Sequence, residues 1–307
     1  MLNKRYQVLV LGYGKMGHVM ESLLQERHQL AFWDKFPPPG FTPVPLEEAA
    51  PAADVVLFCM PVMPHRETAQ LLAPLLQPDC LCLSIAKGLD EKGKPAAQVF
   101  AEVFGEAQAF GVLYGPMISA EVLGGRSGFA QLGYNKAQYA EVATSLFQGS
   151  NLHIEHTTDI TGISWAAILK NVYALGFGMA DGLQLGDNVR GLLAVTAMQE
   201  LERIVCLLGG QSGSAWHLAG LGDLITTATS ETSHHHNTGR MLANGQLNDI
   251  KGEGVNTLAM VRKFQLFRQA DYPLYDLIQR CVNEPAGLHE QFRLFLQQGY
   301  FGHDSRG

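Results

Sequence analysis

Apolar runs and helical repeats alternate through the first half of the chain. Residues 6–11 form a short apolar run stopped by Gly12. A helical pattern follows to residue 26, then a second apolar run at 30–33 that ends at Asp34. Pro37-Pro38-Pro39-Gly40 breaks the pattern as a loop. Residues 55–59 make a third run, stopped by Pro61; 68–76 return to helical spacing, 80–85 to a strand, 96–104 to a helix and 110–114 to a strand. Short runs without polar alternation predict strands buried on both faces. Their alternation with helices predicts a parallel sheet covered on both sides.

After about residue 151 the texture changes. Strand-like runs give way to long stretches at helical spacing, at 162–178, 192–208, 257–268, 275–281 and 287–298. The pattern predicts an α/β first domain over residues 1–156 and an all-helical second domain over 157–307. No Ser- or Gly-rich linker separates them, so tight packing is expected. The tail from residue 299 reads as frayed. The first apolar run is too short for a leader, and no segment approaches the roughly 20 apolar residues of a membrane span.

A formal net charge of −7 argues against nucleic acid or an anionic membrane as partner and leaves a small-molecule substrate. The five cysteines are an odd number without a CxxC pair, and Cys80 and Cys82 point to one face of a strand. This usage reads as buried or inert thiols in a reducing, cytoplasmic compartment, with no metal expected.

The first strand runs into Gly12-Tyr13-Gly14-Lys15-Met16-Gly17, which opens a helix. Asp34 ends the second strand about 20 residues later, the spacing of a Rossmann-type dinucleotide fingerprint. Glycines allow a tight turn, close approach to a pyrophosphate and close helix packing. The helix N-terminus offers free N–H groups. Pro61, at the end of the third strand, joins this cofactor-facing set. The alternative is a glycine turn that merely joins strand to helix, with Asp34 a solvated turn residue. Asp34 favours NAD over NADP, since its charge repels a 2′-phosphate; Lys35 beside it softens that preference.

Lys170 lies in an apolar stretch, Trp165 to Leu175, and either snorkels to solvent or points into a site. Desolvation lowers a lysine's pKa and suits it to proton transfer near neutral pH. Asp223, flanked by Gly220 and Gly222, either orients that lysine or caps a helix.

With these residues in view, the chain resembles the NAD(P)-dependent glycerol-3-phosphate dehydrogenase family over most of its length. The matching pieces, in order, are Ala86-Lys87-Gly88-Leu89, Gly115-Pro116 with Glu121, Leu169-Lys170-Asn171-Val172 and Gly186-Asp187-Asn188. They continue with Gly220-Leu221-Gly222-Asp223-Leu224-Ile225-Thr226-Thr227, and Glu253-Gly254-Val255 with Thr257. The resemblance implies a Rossmann domain followed by a helical domain, and hydride transfer between a nicotinamide and a secondary alcohol or ketone of a small anionic substrate. It makes Lys170 the catalytic acid/base, with Asp223, Asn171 and Thr227 around the reacting oxygen. Lys87, Gly115, Ser233, His234 and His235 fall at substrate positions. Lys87, Ser119, His234 and Glu253 fall at cofactor positions. A homodimer is also implied.

Some positions depart from the family. Where it has Ser-Arg-Asn-Arg, this chain has Ser233-His234-His235-His236; Met117 stands where it has a serine, and Thr196 where it has an arginine, although Arg190 and Arg240 are nearby. Histidine lacks arginine's planar fork. The triple histidine therefore reads as a solvated loop, as contacts to an anionic substrate that weaken above about pH 6.5, or as a metal site of poor geometry. Two other functions stay open: a β-hydroxyacid dehydrogenase-like reductase, and an NAD-binding protein without catalysis.

Overall fold

The computed structural model describes residues 4–248 and 250–297. The predicted tail from residue 299 lies outside them. Seven strands form one sheet: β1 (Gln7–Leu11), β2 (Gln29–Trp33), β3 (Val55–Phe58), β4 (Leu81–Ser84), β5 (Ala109–Tyr114), β6 (Gly128–Tyr134) and β7 (Leu152–Thr157). The order is β2-β1-β3-β4-β5-β6-β7. All neighbours are parallel except β5 and β6. The expected parallel sheet is present from β1 to β5; β6 and β7, which the sequence pattern did not predict, add one antiparallel pairing and carry the sheet past residue 151, where strand texture was expected to end.

Helices α1 (Lys15–Leu24), α2 (Leu46–Ala49), α3 (His65–Leu72), α4 (Ala96–Phe104), α5 (Ser119–Leu123) and α6 (Ala140–Phe147) accompany the sheet. Alternate residues of each strand enter opposite cores. Val8 and Val10 pack with Val55, Leu57, Leu81 and Leu83 on one face. Leu9 and Leu11 pack with Val56, Phe58, Cys80 and Cys82 on the other. Period-2 geometry thus explains why runs apolar at every position became these central strands.

Among the described residues from Ile160 on, the regular elements are helical: α7 (Ile160–Gly182), α8 (Asp187–Leu207), α9 (Asp223–Thr229), α10 (His234–Ala243), α11 (Glu253–Phe264), α12 (Pro273–Asn283) and α13 (Leu288–Gln297). Asp159 starts α7: its Oδ1 accepts the Gly162 N–H at 2.8 Å, satisfying one orphan donor of the first turn. Contrary to the expectation from sequence, α7 is long and apolar enough to span a bilayer, but 89% of its most apolar window is buried inside the protein. It is the central helix of the second core, contacting residues of α8, α11 and α12. Its tightest neighbour is α10. A Cβ on Gly178 would sit 1.9 Å from His236 O, and one on Gly239 would sit 2.1 Å from Leu175 O, so glycine on both helices permits the approach.

The five cysteines are free, with Cys80, Cys82 and Cys281 buried. Burial raises the Cys82 thiol and pushes Cys281 up to about 12. Cys59 is half-buried and Cys206 is exposed.

Candidate active site

The carboxyl ends of β1, β3 and β4 converge where chain direction across the sheet reverses, the usual ligand crevice of such folds. Gly12 turns the chain with φ +98° and donates its N–H to Trp33 O at 2.7 Å. A Cβ on Gly17 would lie 2.2 Å from Gly12 O, so α1 closes onto this turn only with glycine there. A Cβ on Gly14 would meet nothing within 4 Å, which leaves the backbone open to a large group. No side chain caps α1, so its first-turn donors face that opening. Asp34 is held beside it: Oδ2 accepts the Tyr13 N–H at 2.7 Å and Oδ1 the Phe36 N–H at 2.8 Å. Lys35 donates to both oxygens of Glu67 at 3.0 Å, so its charge is engaged away from Asp34.

The helical half brings the second group. Lys170 is 4% exposed, which decides between snorkelling and pointing inward. Its Nζ donates to Thr227 Oγ1 at 2.5 Å and lies 3.2 Å from Asp223 Oδ2. Lys87 Nζ reaches the same Asp223 oxygen at 2.5 Å and the Gly115 carbonyl at 3.0 Å. Asn171 Nδ2 lies 3.5 Å from Lys87 O, the outer limit of a hydrogen bond. Asp223 is the first residue of α9, but its carboxylate binds two ammonium groups and caps nothing. Burial pulls the Lys170 amine down to about 8, against the opposing attraction of Asp223. Burial alone would raise Asp223, but the two ammonium groups hold it below the ordinary aspartate range.

Local structure fixes these groups from both sides. Lys87 follows β4 on a loop tied down by Ala86: its N–H donates to Ser84 Oγ at 3.2 Å and its carbonyl accepts the Tyr114 hydroxyl at 2.9 Å. Asp223 follows a wide helical turn, Leu218–Gly222, in which the Gly222 N–H reaches His217 O at 3.1 Å. Such i→i+5 turns recur at functional sites. Buried Gln131 of β6 accepts the Ala219 N–H at 3.0 Å and ties that turn to the sheet.

A cavity of about 330 Å³ opens over this cluster. It brings together Met16, Lys87, Ser119, Lys170, Asn171, Asp223, Thr227, Ser233, His235 and Glu253. Burial pushes the Glu253 carboxyl up to about 7. That carboxyl packs on the Lys87 loop, where a Cβ on Gly88 would lie 2.2 Å from Glu253 Oε2. Gly12, Gly14, Lys15, Gly17, Asp34, Pro61, Gly115 and His234 do not line the cavity. The wall also uses Ile85, Ile118, Thr226, Ser230 and Thr232, which sequence reasoning did not single out as site residues. The hydroxyl run Ser230-x-Thr232-Ser233 was the available signal.

The triple histidine is not a loop. Ser233 caps α10, its Oγ accepting the His236 N–H at 3.4 Å, and the histidines form the helix's first turn. Their side chains diverge. His234 is exposed, with Nε2 2.9 Å from Lys251 O. His235 lines the cavity, and burial, with Lys170 next in weight, pulls its imidazole down to about 3. The expected loss of a cationic imidazole near pH 6.5 therefore does not describe His235, which is neutral well below that. His236 is buried, with Nε2 2.7 Å from Asp181 Oδ2. Arg190 holds the other oxygen of Asp181 at 2.6 Å. Neither Arg190, Arg240 nor buried Thr196 lines the cavity.

Comparison with known proteins agrees with this architecture. The sequence profile of the NAD-dependent glycerol-3-phosphate dehydrogenase N-terminus matches residues 42–140, and that of the C-terminus matches residues 159–292. A glycerol-3-phosphate dehydrogenase, NAD(P)+, of Dehalococcoides mccartyi is 33% identical over 261 residues, covering 82% of this chain and 73% of the relative. The Agrobacterium fabrum protein of that name is 28% identical over 288 residues, 92% of this chain and 87% of its own. The crystal structure of glycerol-3-phosphate dehydrogenase from Coxiella burnetii superposes with a TM-score of 0.83 at 21% identity, covering 95% of this chain and 99% of that one. The chain belongs to the NAD-dependent glycerol-3-phosphate dehydrogenase family.

Proposed function

We propose that this protein is a nicotinamide-dependent oxidoreductase. It interconverts a secondary alcohol and its ketone on a small substrate, glycerol 3-phosphate/dihydroxyacetone phosphate or a relative. The observation that carries the reading is the buried Lys170–Asp223–Thr227 contact under a cavity that also includes Met16 of the dinucleotide loop. When bound, the reduced dinucleotide supplies the hydride. Gly12, Gly14, Lys15, Met16, Gly17, Asp34 and Pro61 would hold it, with Lys87, Ser119 and Glu253 from the cavity wall. His234 completes this set from behind, packed on Gly252 next to Glu253.

Lys170 acts as the general acid in ketone reduction. Its ammonium gives one N–H to Thr227 and faces Asp223, which leaves a third for the substrate oxygen as negative charge develops there. An amine near pKa 8 donates and reclaims a proton readily at neutral pH. Asn171, the next residue on α7, and Lys87 position the substrate's hydroxyls. Residues 1–156 form the dinucleotide half and 157–307 the substrate half. We also read the protein as cytoplasmic, supported by its free thiols. We read it as a homodimer too, as the family resemblance implies, which light scattering would test.

The test of the main reading is NADH oxidation with dihydroxyacetone phosphate and with 3-oxo acids, alongside NADH binding. Turnover is expected with the triose compound alone. Binding without turnover on any compound would favour a silent dinucleotide-binding protein. A second outcome concerns Asp34. Replacing it by Ala should raise the KM for NADH by roughly ten- to a hundred-fold, the worth of one charge-assisted contact. The preference for NADH over NADPH should narrow at the same time. Equal KM values for NADH in variant and parent would remove Asp34 from the cofactor set.

A further inference from the structure

The cavity wall carries hydroxyls where a phosphate dianion would call for fixed cations. Its charged side chains are Lys87, Lys170 and Asp223, beside Glu253, whose carboxyl burial pushes up to about 7. Both ammonium groups share Asp223 Oδ2. Two of Lys170's three N–H groups face Thr227 and Asp223, and the third is the one used at the reacting oxygen. Lys87 gives two to Asp223 and the Gly115 carbonyl, which leaves one for the far end of a substrate.

The rest of that wall is neutral. Thr226 Oγ1 donates to Gly222 O at 2.9 Å, and the Ser230 and Thr232 hydroxyls share one bond of 3.0 Å. Ser233 Oγ accepts from the His236 N–H, so its own proton is available. The N-terminus of α10 adds about half a positive charge, well short of two. Of the two nearby arginines that sequence reasoning flagged, Arg190 is taken by Asp181 and Asp187, and Arg240 does not line the cavity. A buried dianion without matching cations is strongly disfavoured, whereas a hydroxyl group satisfies and is satisfied by this wall.

We infer that the cavity recognises an uncharged, hydroxyl-bearing tail, so that the substrate pair is a short unphosphorylated polyhydroxy ketone and its polyol. The inference rests on the alcohol–ketone reading above and changes only the substrate class. The experiment compares kcat/KM for dihydroxyacetone and dihydroxyacetone phosphate with NADH. Two charge-assisted contacts to phosphate would favour the phosphorylated compound by about a hundred- to ten-thousand-fold. Here the two values are expected within about tenfold of each other. A phosphate preference above a hundred-fold overturns the inference and leaves the alcohol–ketone reading standing. Absence of NADH oxidation with either compound overturns that reading as well. His235→Arg, which places a guanidinium at the wall, is expected to move the ratio toward the phosphorylated ketone by at least tenfold. An unmoved ratio would show that charge is not what the wall lacks, and would overturn the inference.

Discussion

Lys170→Met is expected to lower kcat/KM for ketone reduction by about a thousand-fold, within the range of losing a positioned general acid. Methionine nearly matches the length of the lysine stem and suits the apolar surroundings of α7. Asp223 keeps Lys87 as its partner, so the cavity should persist and NADH should still bind. The pH dependence of the parent enzyme makes the same point. Lys170 is drawn down to about 8 in the folded protein. Ketone reduction needs its protonated form, so kcat/KM should be flat below that pH and fall above it. Alcohol oxidation needs the neutral amine and should rise through the same window. A variant that retains more than a tenth of the activity, or a parent profile flat through pH 8, would remove Lys170 from the chemistry.

What the sequence revealed follows from what each element buries. The central strands and α7 are apolar at nearly every position, and that signal does not depend on partners far along the chain. β6 and β7 lack it. β6 has Gly at its first residue and buried Gln131 at its centre, which is used to hold the Leu218–Gly222 turn. β7 lies at the sheet edge with both His153 and Glu155 exposed, and so alternates where a fully buried strand would not. α9 and α10 are short and polar, and α10 is stabilised by its glycine contacts with α7, which no periodicity exposes. At the candidate site, residue types suggested a lysine and an aspartate. That Lys87 and Lys170 share one carboxylate oxygen is a tertiary fact, joining positions 136 residues apart for the Lys87 pair. The divergence of His234, His235 and His236 comes from α10 geometry, since consecutive helical residues point about 100° apart.

Asp223→Asn tests that shared oxygen, and it should affect stability and chemistry together. The substitution keeps the shape and removes the charge that faces two ammonium groups. Removing one partner of a buried ion pair typically costs about 3–5 kcal/mol, and urea unfolding at pH 7 should show a loss of that order. The sign with pH follows from the depressed pKa of Asp223. Its stabilising contribution is complete above the ordinary aspartate value and is lost as pH falls through the lower folded value. The gap between parent and variant should therefore close in acid, and it should also narrow as pH rises toward 8, where the Lys170 ammonium that faces Asp223 loses its proton first in the variant. Activity should fall by about a hundred-fold or more as Lys170 loses its orientation. The residual activity carries the sharper signature. Asp223 raises the Lys170 pKa, whereas burial and Lys87 lower it. Without Asp223 the alkaline limb of ketone reduction should move below pH 8. A variant as stable as the parent, with its alkaline limb unmoved, would mean that Asp223 is not the counter-ion that sets the lysine's proton affinity.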